Sequence, residues 1–268
     1  MSMPTPLREP QAAGSVWIET EPAGVEENLA LDEAILDELH GESTEGPSPA
    51  AASGEDGPGP AASQCVRLWT PRETVVVVGS SSRLDEEVDR DACRRLGARI
   101  VRRPSGGATI VLGPGCVVYS VIERLSADMP SIDRLHERFL APLCEAFVRR
   151  GLPAVRRGTS DLVVGDRKFS GNSLRVKKRA VLYHGTFLDA FDLSLIDSLL
   201  PHPPREPDYR GSRPHRDFLT NVGLGLGVIR EAVREAFGAS RVSSWFPRDR
   251  VESLLASRYR QADWTERL

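Results

Sequence analysis

The chain has 268 residues, 40% apolar and 27% charged, with a formal net charge of −3; this is the composition of a soluble globule large enough to bury a real core. Near-neutral charge leaves no footprint for bulk nucleic-acid binding, and no window of the sequence approaches the length of a membrane span. Cys65, Cys93, Cys116 and Cys144 are spaced too widely for a zinc motif or a disulfide framework, so a cytoplasmic protein with reduced thiols, no nucleic-acid partner and no membrane partner is expected.

Residues 1–14 lack a signal-peptide core and are expected to be a flexible tail ahead of a single domain over 15–268. Leu29, Ala30, Ala34, Ile35 and Leu39 recur at helical spacing and predict an amphipathic helix whose acids lie mostly on the other side. The Pro/Gly/Ala/Ser-rich run 41–64 cannot bury enough apolar surface to offset its chain entropy. It reads as a disordered insert, which a fold tolerates because loop-closure entropy grows slowly with length. Residues 65–69 and 74–79 read as buried strands, 84–97 as one helix stopped by Gly97, and 98–103 as a strand. Strands at 109–112 and 116–122 flank a Gly113-Pro114-Gly115 turn. A long helix follows, with Ser131 as N-cap and Gly151 as stop. Residues 161–164, 167–176 and 180–189 predict an antiparallel meander whose first turn is Gly165-Asp166. The last third is mostly helical, most clearly over 227–237 and 248–259. There are no internal repeats. Hairpin-spaced strands mixed with helices define an α+β fold with a largely antiparallel sheet flanked by helices.

Three short constellations carry chemistry. In "RRPSGG", Arg102 to Gly107, the glycines let backbone N–H groups approach an anion, and strand alternation lets only one arginine face them easily. The other is expected at the surface or an interface. Taken alone, the motif suits a structural turn and an anion site equally. In "SDLVVGDRKFSGNS", Ser160 to Ser173, Lys168 follows a turn and precedes Gly171 inside a strand. Glycine there leaves room for a ligand, and a lysine beside such a gap sets a positive charge against a phosphoryl or carbonyl oxygen. A solvated lysine is the competing reading. In the third, His184-Gly185-Thr186 interrupts an apolar strand, and His184 suits a general base, a ligand or a structural role. His40, His136, His202 and His215 form no metal-ligand or nucleophile-and-base pattern.

These pieces, in this order, resemble the lipoate–protein ligase family within the biotin/lipoate ligase and octanoyltransferase superfamily. "ENLALDEAIL", "TVVVVG" and "HGTFLDAFDLSLIDSLL" extend the resemblance over nearly the whole chain outside the insert. It implies a single ligase-like catalytic domain. It also implies a two-step reaction in which lipoate and ATP give lipoyl-AMP and pyrophosphate, and a lysine of an acceptor lipoyl domain then displaces AMP. The acceptors would be lipoyl domains of 2-oxoacid dehydrogenases or glycine cleavage proteins. By the resemblance, Lys168 contacts the acyl-phosphate oxygens. Arg103, Ser105, Gly106, Gly107, Gly171, His184 and Gly185 would line the lipoyl-adenylate pocket. Asp161 stands at an acidic position that contacts the adenylate or Mg. "RVKKR", Arg175 to Arg179, suits either a surface that steers an acidic acceptor domain or a solvated hairpin.

The chain departs from the pattern in the second half of its glycine motif. Ala108 replaces a third glycine, Leu112 and Gly113 replace a histidine and an acid, and Cys116 replaces an asparagine. Gly113-Pro114-Gly115 resembles the octanoyltransferase turn, so transfer of octanoyl from acyl carrier protein through a cysteine thioester is the alternative activity. The cysteine such enzymes place before the "LVV" strand is absent from "RRGTSD". A non-catalytic lipoyl-binding protein is the third possibility. No C-terminal accessory domain is expected within the chain, so a separate small accessory subunit would be needed if adenylation requires one.

Overall fold

The computed structural model describes residues 14–20, 24–41, 62–126 and 129–268. The expected tail and insert therefore lie almost wholly outside the described residues. Gly41 and Gln64, assigned to the insert, belong instead to the elements that flank it.

The larger sheet has eight strands in the order β11-β1-β2-β6-β10-β9-β8-β7. They are β1 (Ser15–Ile18), β2 (Gln64–Trp69), β6 (Cys116–Arg124), β7 (Ala154–Arg157), β8 (Asp161–Val164), β9 (Arg167–Lys177), β10 (Ala180–Leu188) and β11 (Arg241–Ser243). β1 runs parallel to both β2 and β11, and the remaining pairs are antiparallel. The expected α+β architecture is therefore found. A separate three-stranded sheet, not anticipated, joins β4 (Arg99–Arg102), β3 (Val75–Val78) and β5 (Ile110–Leu112). The four consecutive valines of β3 are all buried, as a central strand covered on both faces requires.

One face of the large sheet packs on helix α1 (Val25–His40) and on α8 (Arg248–Leu254), continued by a single π turn over Leu255–Tyr259. The other face packs on α4 (Ile132–Val148) and α7 (Leu226–Ala236). In α4, Leu135, Phe139, Leu143 and Phe147 recur every fourth residue and are fully buried. Ser131 caps it as expected, its hydroxyl accepting from Arg134 N–H at 3.3 Å.

Three expectations need correction. The helix predicted over 84–97 is two short ones, α2 (Leu84–Glu87) and α3 (Arg90–Leu96), because Asp89 turns its carboxylate to the N–H of Ala92 at 2.7 Å and starts a new helix. The acids of α1 are not all outside: Asp32, Glu33 and Asp37 are buried. Each meets cations from another element, with Arg67 on Asp32, Arg258 on Glu33, and Lys177 and Arg250 on Asp37. Buried carboxylates persist only when paired in this way.

Arg102, expected at a surface or interface, is fully buried. Its guanidinium donates to the carbonyls of Gly79 and Ser82 at 2.7 and 2.8 Å and to that of Thr265 at 2.8 and 3.0 Å. Strand alternation does separate Arg102 from Arg103, but backbone carbonyls, rather than water, satisfy the far side. Trp264 Nε1 donates back to the Arg102 carbonyl at 2.8 Å, tying the last helix, α9 (Ala262–Thr265), behind the glycine motif.

Candidate active site

The meander β8–β9–β10 sets the site's geometry through its register. Asp161, Gly171, Thr186, Val118 and Trp69 pair in one row across β8, β9, β10, β6 and β2. Ser173, His184, Ser120 and Arg67 form the neighbouring row. Paired residues project to the same side, so both rows face α1 and the glycine motif. The second is a polar row within an otherwise apolar face.

Lys168 reaches this face because of a β-bulge. Leu162 pairs with Ser170 and Val163 with Lys168, which leaves Phe169 unmatched. Strict alternation would put Phe169 on the Gly171 side. The extra residue instead sends Phe169 into the core under α4 and re-aims Lys168 toward Asp161. Lys168 Nζ lies 2.7 Å from Asp161 Oδ1, with a quarter of the lysine side chain exposed. A Cβ on Gly171 would come within 3.0 Å of Lys168 Cε and Nζ, so the glycine gives the ammonium its place.

The other oxygen of Asp161 accepts from Tyr209 Oη at 2.7 Å. Burial, and then the Asp161 charge, push the Tyr209 phenol well above its usual range, so it remains a donor at neutral pH. Tyr209 carried no sequence signal, since it stands in a Pro/Arg-rich loop without periodicity. Its role is to share Asp161 with Lys168. Tyr209→Phe is therefore expected to lower kcat/KM about tenfold, the weight of one hydrogen bond to a charged group, with little change in melting temperature. Steady-state kinetics alongside thermal melts check this, and unchanged kinetics would contradict the role.

Both Asp161 oxygens are engaged, and no group of three or more His, Cys, Asp or Glu with metal-site geometry occurs among the described residues. Among the described residues, Asp161 therefore belongs to no three-carboxylate or histidine cluster of the kind that holds a metal by protein ligands alone.

The glycine motif folds over the polar row with its carbonyls turned inward. Arg103, itself buried, donates to the carbonyls of Val77, Gly106 and Ala108 at 3.1, 2.6 and 2.9 Å and to Ser105 Oγ at 3.1 Å. Burial draws its guanidinium down to about 10, still cationic at neutral pH. Ser173 Oγ donates to the Gly106 carbonyl at 2.7 Å, and Arg175 to that of Pro104 at 2.9 Å. Gly107 takes a φ of 88°, and its carbonyl would lie 2.0 Å from any Cβ on Gly79. Conversely, the N–H groups of Gly106, Gly107 and Ala108 donate to no described residue. Successive backbone N–H groups without protein partners form the kind of concavity in which anions bind.

Beneath the loop, Ser105 Oγ lies 2.5 Å from His184 Nε2, and His184 Nδ1 lies 3.8 Å from Asp32 Oδ2. Asp32 also accepts from Arg67 and from Ser120 Oγ, each at 2.6 Å. Burial alone would raise the Asp32 pKa, but the Arg67 charge, His184 and Ser120 together hold it below its ordinary value. Sequence analysis singled out His184 but not Asp32, whose helical spacing placed it among solvated acids.

Gly185 behaves differently from the other predicted pocket residues. It faces the opposite side of the sheet, where a Cβ would meet Asn172 Oδ1 at 1.8 Å. The glycine admits the Asn172 amide, which bridges Tyr119 Oη and the Ser160 carbonyl. Arg175 and Lys177 of "RVKKR" are engaged by Glu33 and Asp37 of α1 rather than forming a free basic surface. Cys116 is 1% exposed, and burial pushes its thiol up to about 12. An open cavity of about 290 Å³ is lined by Val25, Asn28 and Trp69, beyond the end of the row opposite Lys168.

Residues 25–239 match the model of the lipoyl protein ligase A/B catalytic domain, and the chain belongs to that family. It is 25% identical over 200 residues to lipoate–protein ligase 1 of Staphylococcus aureus, a match covering 70% of this chain and 60% of that one. It is 26% identical over 278 residues to octanoyltransferase LipM of Geobacillus kaustophilus, covering 88% and 92%. The chain thus spans about three-fifths of the ligases' length and nearly all of the transferase's. The bipartite lipoate protein ligase of Thermoplasma acidophilum superposes with a TM-score of 0.74 at 20% identity, covering 94% of this chain and 96% of that one. A lipoate–protein ligase A bound with ATP gives 0.72 at 19% identity, covering 94% and 98%. At these identities the structural likeness speaks for the fold.

Proposed function

We propose that this chain is the catalytic domain of a lipoate–protein ligase, which activates lipoate with ATP as lipoyl-AMP and passes the acyl group to a lysine of an acceptor lipoyl domain. The observation that carries this reading over a cysteine-dependent octanoyltransferase is the state of the thiols. Cys65 and Cys116 are buried with thiols pushed up to about 12, and Cys144 is pushed up to about 11. Burial also raises Cys93. A thioester route needs a thiolate, which takes an exposed, electropositive setting, and none of the four cysteines has one. Cys116→Ser is accordingly expected to keep full acyl transfer and to lose only stability. An acceptor-acylation assay checks it, and abolished transfer in a folded variant would favour the transferase.

The residues suit the chemistry. Attack of a carboxylate oxygen on the α-phosphate gathers negative charge, and Lys168 and the free N–H groups of Gly106 to Ala108 are the groups to meet it. Lys168 keeps Asp161 with one of its three N–H groups and offers the others to the anion as the substrate enters. The acyl chain would then run over Gly171, Thr186 and Val118 toward Trp69. That run is about 14 Å at the usual strand spacing, enough for a chain of octanoyl length. In the second step the same cations hold the phosphate while the acceptor amine attacks the acyl carbon and AMP departs. ATP–pyrophosphate exchange that depends on lipoate tests the first step directly. Exchange above the no-lipoate level, with or without a small accessory subunit, supports the reading, and its absence in both settings contradicts it.

A further inference from the structure

The transfer step leaves one requirement unassigned. As the nitrogen of the acceptor amine bonds to the acyl carbon it becomes positively charged, and a proton has to leave it. The side chains nearest the pocket are poor candidates. Lys168, Arg103 and Arg175 are cations with no lone pair to offer. Asp161 has both oxygens engaged, one by Lys168 and one by Tyr209.

The polar row beneath the glycine motif has the needed arrangement. A carboxylate can only accept, so Asp32 facing Nδ1 favours the imidazole tautomer with its hydrogen on that nitrogen. Nε2 of His184 then carries a lone pair and takes the hydrogen of Ser105, 2.5 Å away. Ser105 Oγ accepts once, from Arg103 Nε at 3.1 Å, and keeps its second lone pair uncommitted. The counter-charge is secured from three sides. Arg67 on β2 and Ser120 on β6 hold Asp32 from below, and His184 on β10 faces it at 3.8 Å.

We propose that Ser105, backed by His184 and Asp32, is the proton acceptor of the acyl-transfer step. The amine nitrogen bonds to the acyl carbon, and the bond from that carbon to the AMP oxygen breaks with AMP keeping the electron pair. The proton from the nitrogen passes to Ser105 Oγ as the serine's own hydrogen passes to His184 Nε2. Asp32 balances the imidazolium, which later releases its proton to solvent. Ser105 touches the substrate in this scheme, while His184 and Asp32 are positioning residues that act through it. The proposal rests on Ser105 lining the acyl pocket, as the ligase reading has it.

The test uses synthetic lipoyl-AMP supplied directly, so that ATP activation is bypassed, and compares two nucleophiles. One is the lysine of an apo lipoyl domain. The other is hydroxylamine, an amine already unprotonated at neutral pH and far less dependent on a base. His184→Gln is expected to slow lysine acylation about 100-fold more than it slows hydroxamate formation from the same lipoyl-AMP, the usual weight of base catalysis. Ser105→Ala is expected to give the same split. An equal fall with both nucleophiles would mark a merely structural role and overturn the proposal, as would lysine acylation at the wild-type rate in either variant. If wild-type protein does not use lipoyl-AMP at all, the ligase reading fails first; an octanoyl thioester donor then serves for the same two-nucleophile comparison.

Discussion

Lys168→Ala is expected to lower acyl transfer about 100- to 1,000-fold, the loss seen when one donor to a developing oxyanion is removed, while the protein stays folded. The lysine is a quarter exposed and among the described residues pairs with Asp161 alone, so truncation leaves no hole in the core. The variant removes the ammonium that lies beside Gly171. Lys168→Arg should not restore activity, because a planar guanidinium does not reproduce the compact ammonium point charge that Gly171 leaves room for. Single-turnover acylation of the acceptor, with circular dichroism to confirm folding, checks both. Wild-type turnover in Lys168→Ala would remove the lysine from the mechanism.

Arg67→Ala is expected to be the most damaging substitution for stability. Both partners of the Arg67–Asp32 pair are 1% exposed, at 2.6 Å. Removing one partner of a buried pair costs about 3–5 kcal/mol, because the other charge stays buried without compensation. The expected fall in melting temperature is roughly 10 °C. Asp32 also sets an acid limit. Its carboxyl is held below the ordinary value in the folded state, so the pair's contribution is present above the unfolded carboxyl pKa of about 4 and is lost as pH falls below it. Wild-type protein should lose stability progressively below about pH 4, and the acid-dependent part of that loss should shrink in Arg67→Ala. Denaturant titrations across that range check the sign, and parallel curves for the two proteins would contradict it.

The parts of this molecule that announced themselves in sequence are those with local causes. The meander was legible because Gly165-Asp166 marks a turn and because apolar strands flank it. The glycine motif drew notice because adjacent glycines beside paired arginines suit an anion site, although alone they suit a structural turn equally. What was hidden depends on contacts between distant segments. The bulge at Phe169 cannot be seen in β9 alone, since it exists only in register with β8. Asp32, Glu33 and Asp37 looked like the wet side of α1, and only the cations delivered by β2, β9 and α8 make their burial affordable. Tyr209 meets Asp161 across 48 residues of chain, with no spacing rule to connect them. Arg102 looked like a surface residue because the carbonyls that absorb its charge come from a loop and from the far C-terminal helix.

The most direct measurement of the central claim is the mass of an apo lipoyl domain after incubation with this protein and, separately, lipoate with Mg-ATP or octanoyl–acyl carrier protein, each with and without a small accessory subunit. The lipoate and ATP arm is expected to add one lipoyl group to the acceptor, and the acyl carrier protein arm to add nothing. An octanoyl gain from the acyl carrier protein alone would contradict the ligase reading and establish the transferase, whereas an acceptor unchanged in every arm would contradict both activities.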